Sequence, residues 1–342
     1  MKRFGWGTWA AAAFGCCLIA GPATAEDFFT GKTIKFIVGG DPGGGYDIYA
    51  RAIGRHLSRF IPGAPTVVVQ NMAGAGSGRA AAFIYTVAPK DGTTIAALMP
   101  GAIIGPLLED RAEGLYDPPK FAYLGTADSG TRICATFHTS KIKTFEDAQK
   151  QKLTVGASAA GGATRDYAFL LNHSADAKFE IVSGYTGTPD ISLAMERGEV
   201  DGLCGFDWAS LKSQKPDWVR DNKLNILVQI GPRSDPELTK RGIPELWKFV
   251  KSEDVRKAVE VVVAQQVFGR PYIAPPGTPE DRVKILRDAF TATMQDKEFL
   301  ADAERSRIDI TPTSGEAVQD TIQKLYASPK EVIDRAKQLI KP

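Results

Sequence analysis

The sequence predicts an α/β protein of two lobes, each a mostly parallel sheet flanked by helices. Three observations lead to that class. Short apolar runs alternate with helical patterns along the first two-thirds of the chain. The alternation forms two successive units, the second starting near residue 126. The last third then reads as helices, so the chain is expected to return and cover the first unit. A length of 342 residues suffices for two such units with a sizeable core.

The first unit opens with a strand at Thr33 to Val38. A helix follows from Asp47 to Phe60, with Tyr49, Ala52, Ile53, Leu57 and Phe60 on one face. Thr66 to Gln70 and Thr94 to Met99 are further strands. In the second unit, Arg132 to Phe137 reads as a strand. Thr144 caps a helix with Asp147 as its capping-box partner. Strands at Leu153 to Ala157 and Phe179 to Ser183 flank a helix from about Thr164 to Asn172. Thr188-Pro189-Asp190 reads as N-cap, first-position proline and first-turn acid, and Gly198 stops that helix. Val200 to Phe206 and Asn225 to Ile230 complete the strands. Thr278-Pro279-Glu280 begins a long helix with Val283, Leu286, Phe290 and Met294 inward, and two more helices follow at Ser314 to Tyr326 and Pro329 to Ile340.

Composition narrows the function. Hydrophobic residues at 43% and charged residues at 24% fit a folded globular chain rather than a disordered one. Lys+Arg number 42 and Asp+Glu 40, and Lys2 and Arg3 account for the excess. The remaining chain is neutral, which removes the global electrostatic case for nucleic acid or an anionic membrane. Lys2 and Arg3 precede a small, apolar stretch from Trp6 to Ala20 and an Ala23-Thr24-Ala25 cleavage pattern. Residues 1–25 are therefore expected to be a secretory signal peptide. Its apolar stretch falls short of the ~20 residues a membrane span needs.

Cys16 and Cys17 leave with that segment, and Cys134 and Cys204 remain. They form either one disulfide or two buried thiols. An oxidising compartment favours the bridge, provided that their two predicted strands are neighbours.

Candidate binding residues cluster in small-residue loops that follow strands. They are Pro42-Gly43-Gly44-Gly45-Tyr46-Asp47, the NMAGAGSG run at 71–78, SAAGGAT at 158–164, GYTGT at 184–188, and Asp207-Trp208. Ligands of open α/β sheets sit beyond the carboxyl ends of strands, and such loops offer backbone amides and hydroxyls to a small anion. A dinucleotide fold wants an acid at the end of the second strand, where Gln70-Asn71 stand instead. His56, His138 and His173 share no metal-ligand spacing. Ser158 lies in GASAA, which is no nucleophile elbow. Glu196, Glu199 and Asp201 read as a solvated face. No cofactor is expected.

Together these residues resemble the extracytoplasmic solute receptors of tripartite tricarboxylate transporters, the Bug-type receptors. The resemblance rests on PGGGYD at 42–47, VVVQNMAGAGSG at 67–78, APKDGTTIA at 88–96, GGAT at 161–164, GYTGTPDISLAMERGEVDG at 184–202 and APPGTPEDR at 274–282. It implies a type II periplasmic-binding-protein fold whose cleft closes on a solute about a hinge. The first lobe is expected over 26–125 and 228–342, and the second over 126–227. The family's habit implies a periplasmic monomer that binds a small organic carboxylate and hands it to a two-component membrane permease. By position, the implied ligand-binding residues are Gly44, Gly45, Tyr46 and Asp47 of the first lobe. Those of the second are Ser158, Ala160, Gly161, Gly162, Ala163, Thr164, Tyr185, Thr186, Gly187, Thr188 and Asp207. Amides at Gly161 to Ala163 would hold a carboxylate, with Ser158 and Thr164 hydroxyls helping. Asp47 would orient a water, accept from the ligand, or simply favour the first helical turn. Arg165 would pair a second carboxylate or face solvent, and Trp208 would stack on an aromatic solute or pack the lobe. The sequence departs from the commoner pattern at Tyr46, at Gly39-Gly40-Asp41 and at Gln70-Asn71-Met72. Two other functions compete: a periplasmic hydrolase-like α/β enzyme, which would need a nucleophile–base pair, and a receptor-derived adaptor for a sensor protein.

Overall fold

The computed structural model describes residues 1–2, 28–109, 115–158 and 162–342. The expected signal segment, apart from its first two residues, lies outside the described residues, as do Ala160 and Gly161. In chain order the strands are β1 (Thr33–Val38), β2 (Thr66–Asn71), β3 (Thr94–Ala97), β4 (Ala122–Thr126), β5 (Arg132–Phe137) and β6 (Leu153–Ala157). Then follow β7 (Phe179–Ser183), β8 (Gly202–Asp207), β9 (Leu224–Ile230), β10 (Pro271–Ala274) and β11 (Thr313–Ser314). They build two sheets, ordered β11-β4-β10-β3-β1-β2 and β7-β6-β8-β5-β9.

In the first sheet β1 pairs in parallel with β2 and β3. The helix Gly45–Leu57 buries Tyr49, Ala50, Ala52, Ile53 and Leu57 against this core. Gly54 lets that helix approach β2, because an added Cβ would stand 3.1 Å from Val69 Cγ2. The last third is not wholly helical, which corrects the sequence reading. The short β10 returns antiparallel between β3 and β4, in the middle of the first sheet. All four of its residues are buried, so it lacks the alternation that marks a half-buried strand.

In the second sheet β6 pairs in parallel with β7 and β8, and β5 lies antiparallel between β8 and β9. The β5–β8 pairing brings Cys134 and Cys204 together as a disulfide. Thr144 and Asp147 form the expected capping box on the helix Phe145–Lys150. The helix after Gly187 starts at Thr188, so Gly187 rather than Thr188 is its N-cap.

The expected lobe limits need correction at both crossings. Thr126 belongs to β4 in the first sheet. The strand β9 stays paired with β5 through Ile230, so a return at 228 would cut it. Leu238, on the helix Pro236–Lys240, still packs in the second-lobe cluster with Trp208 and Leu211.

The helices Glu280–Gln295 and Gly315–Tyr326 cover the first sheet beside β4, as expected of the tail. The last helix, Lys330–Leu339, does something else. It packs on the helix Glu253–Val263 and reaches the second lobe, where His173 Nδ1 donates to the Leu339 carbonyl at 3.1 Å and Arg165 Nη1 to that of Ile340 at 3.3 Å. One apolar cluster therefore runs from Ile37 and Ile103 through Val262 and Leu339 to Leu171 and Val155. Among the described residues no helix is long and apolar enough to cross a membrane.

Candidate functional site in the interlobe cleft

A cavity of about 180 Å³ lies between the lobes. Four expected residues line it: Gly45 and Tyr46 from the first lobe, and Thr188 and Asp207 from the second. Gly45 and Tyr46 open a helix after β1, and Thr188 opens one after β7. Asp207 ends β8 and caps the next helix by accepting from the Ser210 amide at 2.8 Å. These are strand-end positions, as α/β topology dictates.

Three charged residues of the lining, Asp128, Arg132 and Arg270, went unread in the sequence. Arg132 begins β5, and Arg270 immediately precedes β10. Asp128 sits on the crossing from β4 to β5. Arg270 is buried beside the rings of Tyr49 and Tyr46, with its guanidinium carbon 4.0 Å and 5.1 Å from the ring centres. Its backbone amide donates to Thr126 Oγ1 at 3.0 Å, and Tyr46 donates its hydroxyl to the Gly269 carbonyl at 3.2 Å. Arg270 Nε has no hydrogen-bond partner among the described residues; Asp128 Oδ2 is 3.6 Å away. Arg132 Nη1 donates to the Gly205 carbonyl at 3.2 Å, and its amide to Gln266 Oε1 at 3.2 Å. Gln266 is held in turn by donating to the Tyr167 hydroxyl at 2.9 Å. Burial pushes the Tyr46 hydroxyl above its ordinary pKa, so it stays a neutral donor. Burial and the nearby Asp207 charge push Asp128 up to about 6, against the pull of Arg270.

The other expected residues take different places. Asp47 accepts from the Gly43 amide at 2.8 Å, Arg51 Nε at 2.9 Å and Asn71 Nδ2 at 2.9 Å, which ties down the loop before its helix. Burial pushes its pKa up, but those three bonds outweigh burial and hold it below the usual range. Ser158 and Thr164 bond to each other across their loop, with Ser158 N donating to Thr164 Oγ1 at 2.9 Å. Gly44 and Gly162 are helix N-caps, and Ala163 opens the helix Ala163–Ser174. Tyr185 packs at the edge of the second-lobe cluster, and Thr186 bonds Asp190. Arg165 turns away from the cleft, to Asp166 and the Ile340 carbonyl. Trp208 is buried in the second lobe and donates its indole N–H to Glu237 at 3.1 Å. His56 meets Asp296 and Asp302 on the surface, in a network that Arg55 and Arg59 neutralise.

Two signals for the charged residues existed in the sequence. Arg132 lies at the mouth of a recognised strand. Arg270 follows a glycine and precedes Pro271, but the strand it introduces was too short to read. Asp128 had no signal, because its place depends on where the chain crosses.

No family model matches the chain, and no curated protein does. Solved structures do resemble it. A TctC solute-binding protein from Polaromonas, without ligand, superposes with a TM-score of 0.68 at 18% identity, over 90% of this chain and 98% of that one. MatC from Rhodopseudomonas palustris with bound malate gives 0.63 at 18% identity, over 91% and 99%. The periplasmic binding protein BugD gives 0.62 at 18% identity, over 89% and 95%. With the two sheets, the double crossing and the cleft between them, this likeness establishes that the chain has the two-lobed fold of the TctC- and Bug-type solute-binding proteins.

Proposed function

We propose that this protein is an extracytoplasmic receptor of the Bug type. It captures a small organic carboxylate in the interlobe cleft and delivers it to a two-component membrane permease. The observation that carries this reading is the pair Arg132 and Arg270 in a cavity whose walls come from both lobes. A guanidinium offers planar, charge-assisted donors that suit a carboxylate. Buried Arg270 Nε lacks an acceptor among the described residues, and a ligand oxygen satisfies it. The Thr188 hydroxyl and the start of the helix Thr188–Glu196 add neutral donors from the second-lobe wall. Gly44 and Asp47 act around these contacts by fixing the loop that carries Gly45 and Tyr46.

A ligand that touches both walls stabilises the closed arrangement by its differential contacts. Similar structures hold malate and, in a second R. palustris protein, adipate, which supports the carboxylate class. The similar structures are binding proteins, which supports binding without turnover. A periplasmic location and a monomeric state accompany it.

A thermal-shift screen of the purified mature protein against mono-, di- and tricarboxylic, aromatic and amino acids tests it. One acid class should raise the melting temperature by mass action, and Arg270→Ala should abolish that shift. A folded, ligand-free protein that responds to none of them would overturn the proposal.

A further inference from the structure

Two carboxylates share the cavity with the two guanidiniums. Asp128 comes from the lobe crossing and Asp207 from the end of β8. Both are buried, at 4% and 6% exposure. Both face Gly130: a side chain there would collide with Asp207 Oδ2 and lie 3.3 Å from Asp128 Oδ2. Asp207 Oδ1 is engaged by the Ser210 amide, and Asp128 Oδ1 accepts from Thr311 Oγ1 at 3.1 Å. Asp207 Oδ2 is the oxygen nearest that position, and both Asp128 oxygens lie 3.3 and 3.4 Å from it. Arg270 Nε lies 3.6 Å from Asp128 Oδ2, beyond good hydrogen-bond distance. Arg132 spends one Nη on the Gly205 carbonyl.

Two like charges held together in a buried site are costly unless a proton or cation lies near both. The elevated pKa of Asp128 reflects its burial and the nearness of Asp207. The lining already balances two acids with two bases. A plain dicarboxylate would add two negative charges to it, whereas a ligand carrying an ammonium as well as a carboxylate complements both halves. Resting on the receptor reading above, we infer that the cleft selects an amino acid rather than an amine-free acid, with its carboxylate toward Arg270 and Arg132 and its ammonium beside Asp207 and Asp128. The absence of a side chain at Gly130 is what lets the two carboxylates stand this close in the cavity wall.

Matched ligands test this by calorimetry on the mature protein: succinate against aspartate, glutarate against glutamate, propionate against alanine, and phenylpropionate against phenylalanine. N-acetyl amino acids serve as controls whose nitrogen carries no charge. At least one amine-bearing member should bind about tenfold or more tighter than its partner, as an additional charge-assisted hydrogen bond in a desolvated site implies. Its N-acetyl form should lose that advantage. Asp207→Asn and Asp128→Asn should erase the preference; asparagine keeps an acceptor for Ser210 and for Thr311, so the fold is retained. If a variant fails to fold, the wild-type pairs and acetylated controls decide alone. Amine-free acids that bind as well or better would overturn this inference and leave the carboxylate receptor standing. A preference that survives both folded variants would also overturn it. No binding by any member of any pair would count against both readings.

Discussion

Asp128 is the residue whose chemistry depends most on its surroundings. In the folded chain burial and Asp207 push its carboxyl up to about 6, and in the unfolded chain it returns to ~4. Arg270 and Arg132 pull the other way, and the Thr311 hydroxyl donates to it. The folded state thus binds the extra proton between those values. This group stabilises the fold fully below about pH 4, and that contribution is lost as pH rises through about 6. Asp128→Asn cannot titrate, so the stability of wild type relative to the variant should decline across pH 4 to 6. Melts of both proteins at pH 4, 5, 6 and 7 check this, and parallel curves would contradict it. Asp47 works in the opposite sense, as an ionised anchor for the Gly43 amide, Arg51 and Asn71. Asp47→Ala leaves those donors without their acceptor and should cost about 1–3 kcal/mol in a urea titration. A loss under a few tenths would mean that the loop holds itself.

At the scale of elements, β5 and β8 carry the clearest prediction. Their antiparallel pairing places Cys134 against Cys204 across a sequence separation of 70. On the chain-entropy account, closing a loop of that length limits the unfolded chain and contributes about 4 kcal/mol. The double variant Cys134→Ser, Cys204→Ser should lose about that much in urea, and the wild type under reductant should match it. The strands themselves were readable where apolar runs had clear punctuation: β1, β5, β6 and β7 lie where the sequence places them. The strands β4 and β10 escaped for a common reason. Neither alternates: β10 is buried throughout, and β4 is buried from Tyr123 to Thr126.

For the whole molecule, the decisive feature is the cluster that both lobes share. Two lobes joined only by crossing strands would be expected to melt apart. Here Leu339, buried on the last helix, belongs to the same apolar cluster as Ile37 in one sheet and Val155 in the other. That continuity predicts a single calorimetric transition whose calorimetric and van't Hoff enthalpies agree. Two separable transitions would show that the lobes fold independently of the bridge. No residue of the helix Lys330–Leu339 is among those lining the cleft, whose walls come from both lobes.

The sequence by itself determined the class, the two alternating units, the capping of individual helices and the loops at strand ends. Those properties are local: period, punctuation and first-turn chemistry are written in consecutive residues. It also pointed to the loops of Tyr46, Thr188 and Asp207, which line the cavity, because strand-end loops of such sheets converge by rule. Only the tertiary structure decided that Asp47 and Thr164 serve their own loops, that Arg165 turns to the last helix, and that Arg132, Arg270 and Asp128 meet in one cavity. Arg132 and Arg270 are separated by most of the second lobe, and Asp128 reaches them only through the double crossing of the chain. Charge is recognised in a cleft by distance through space, and no local pattern encodes that distance.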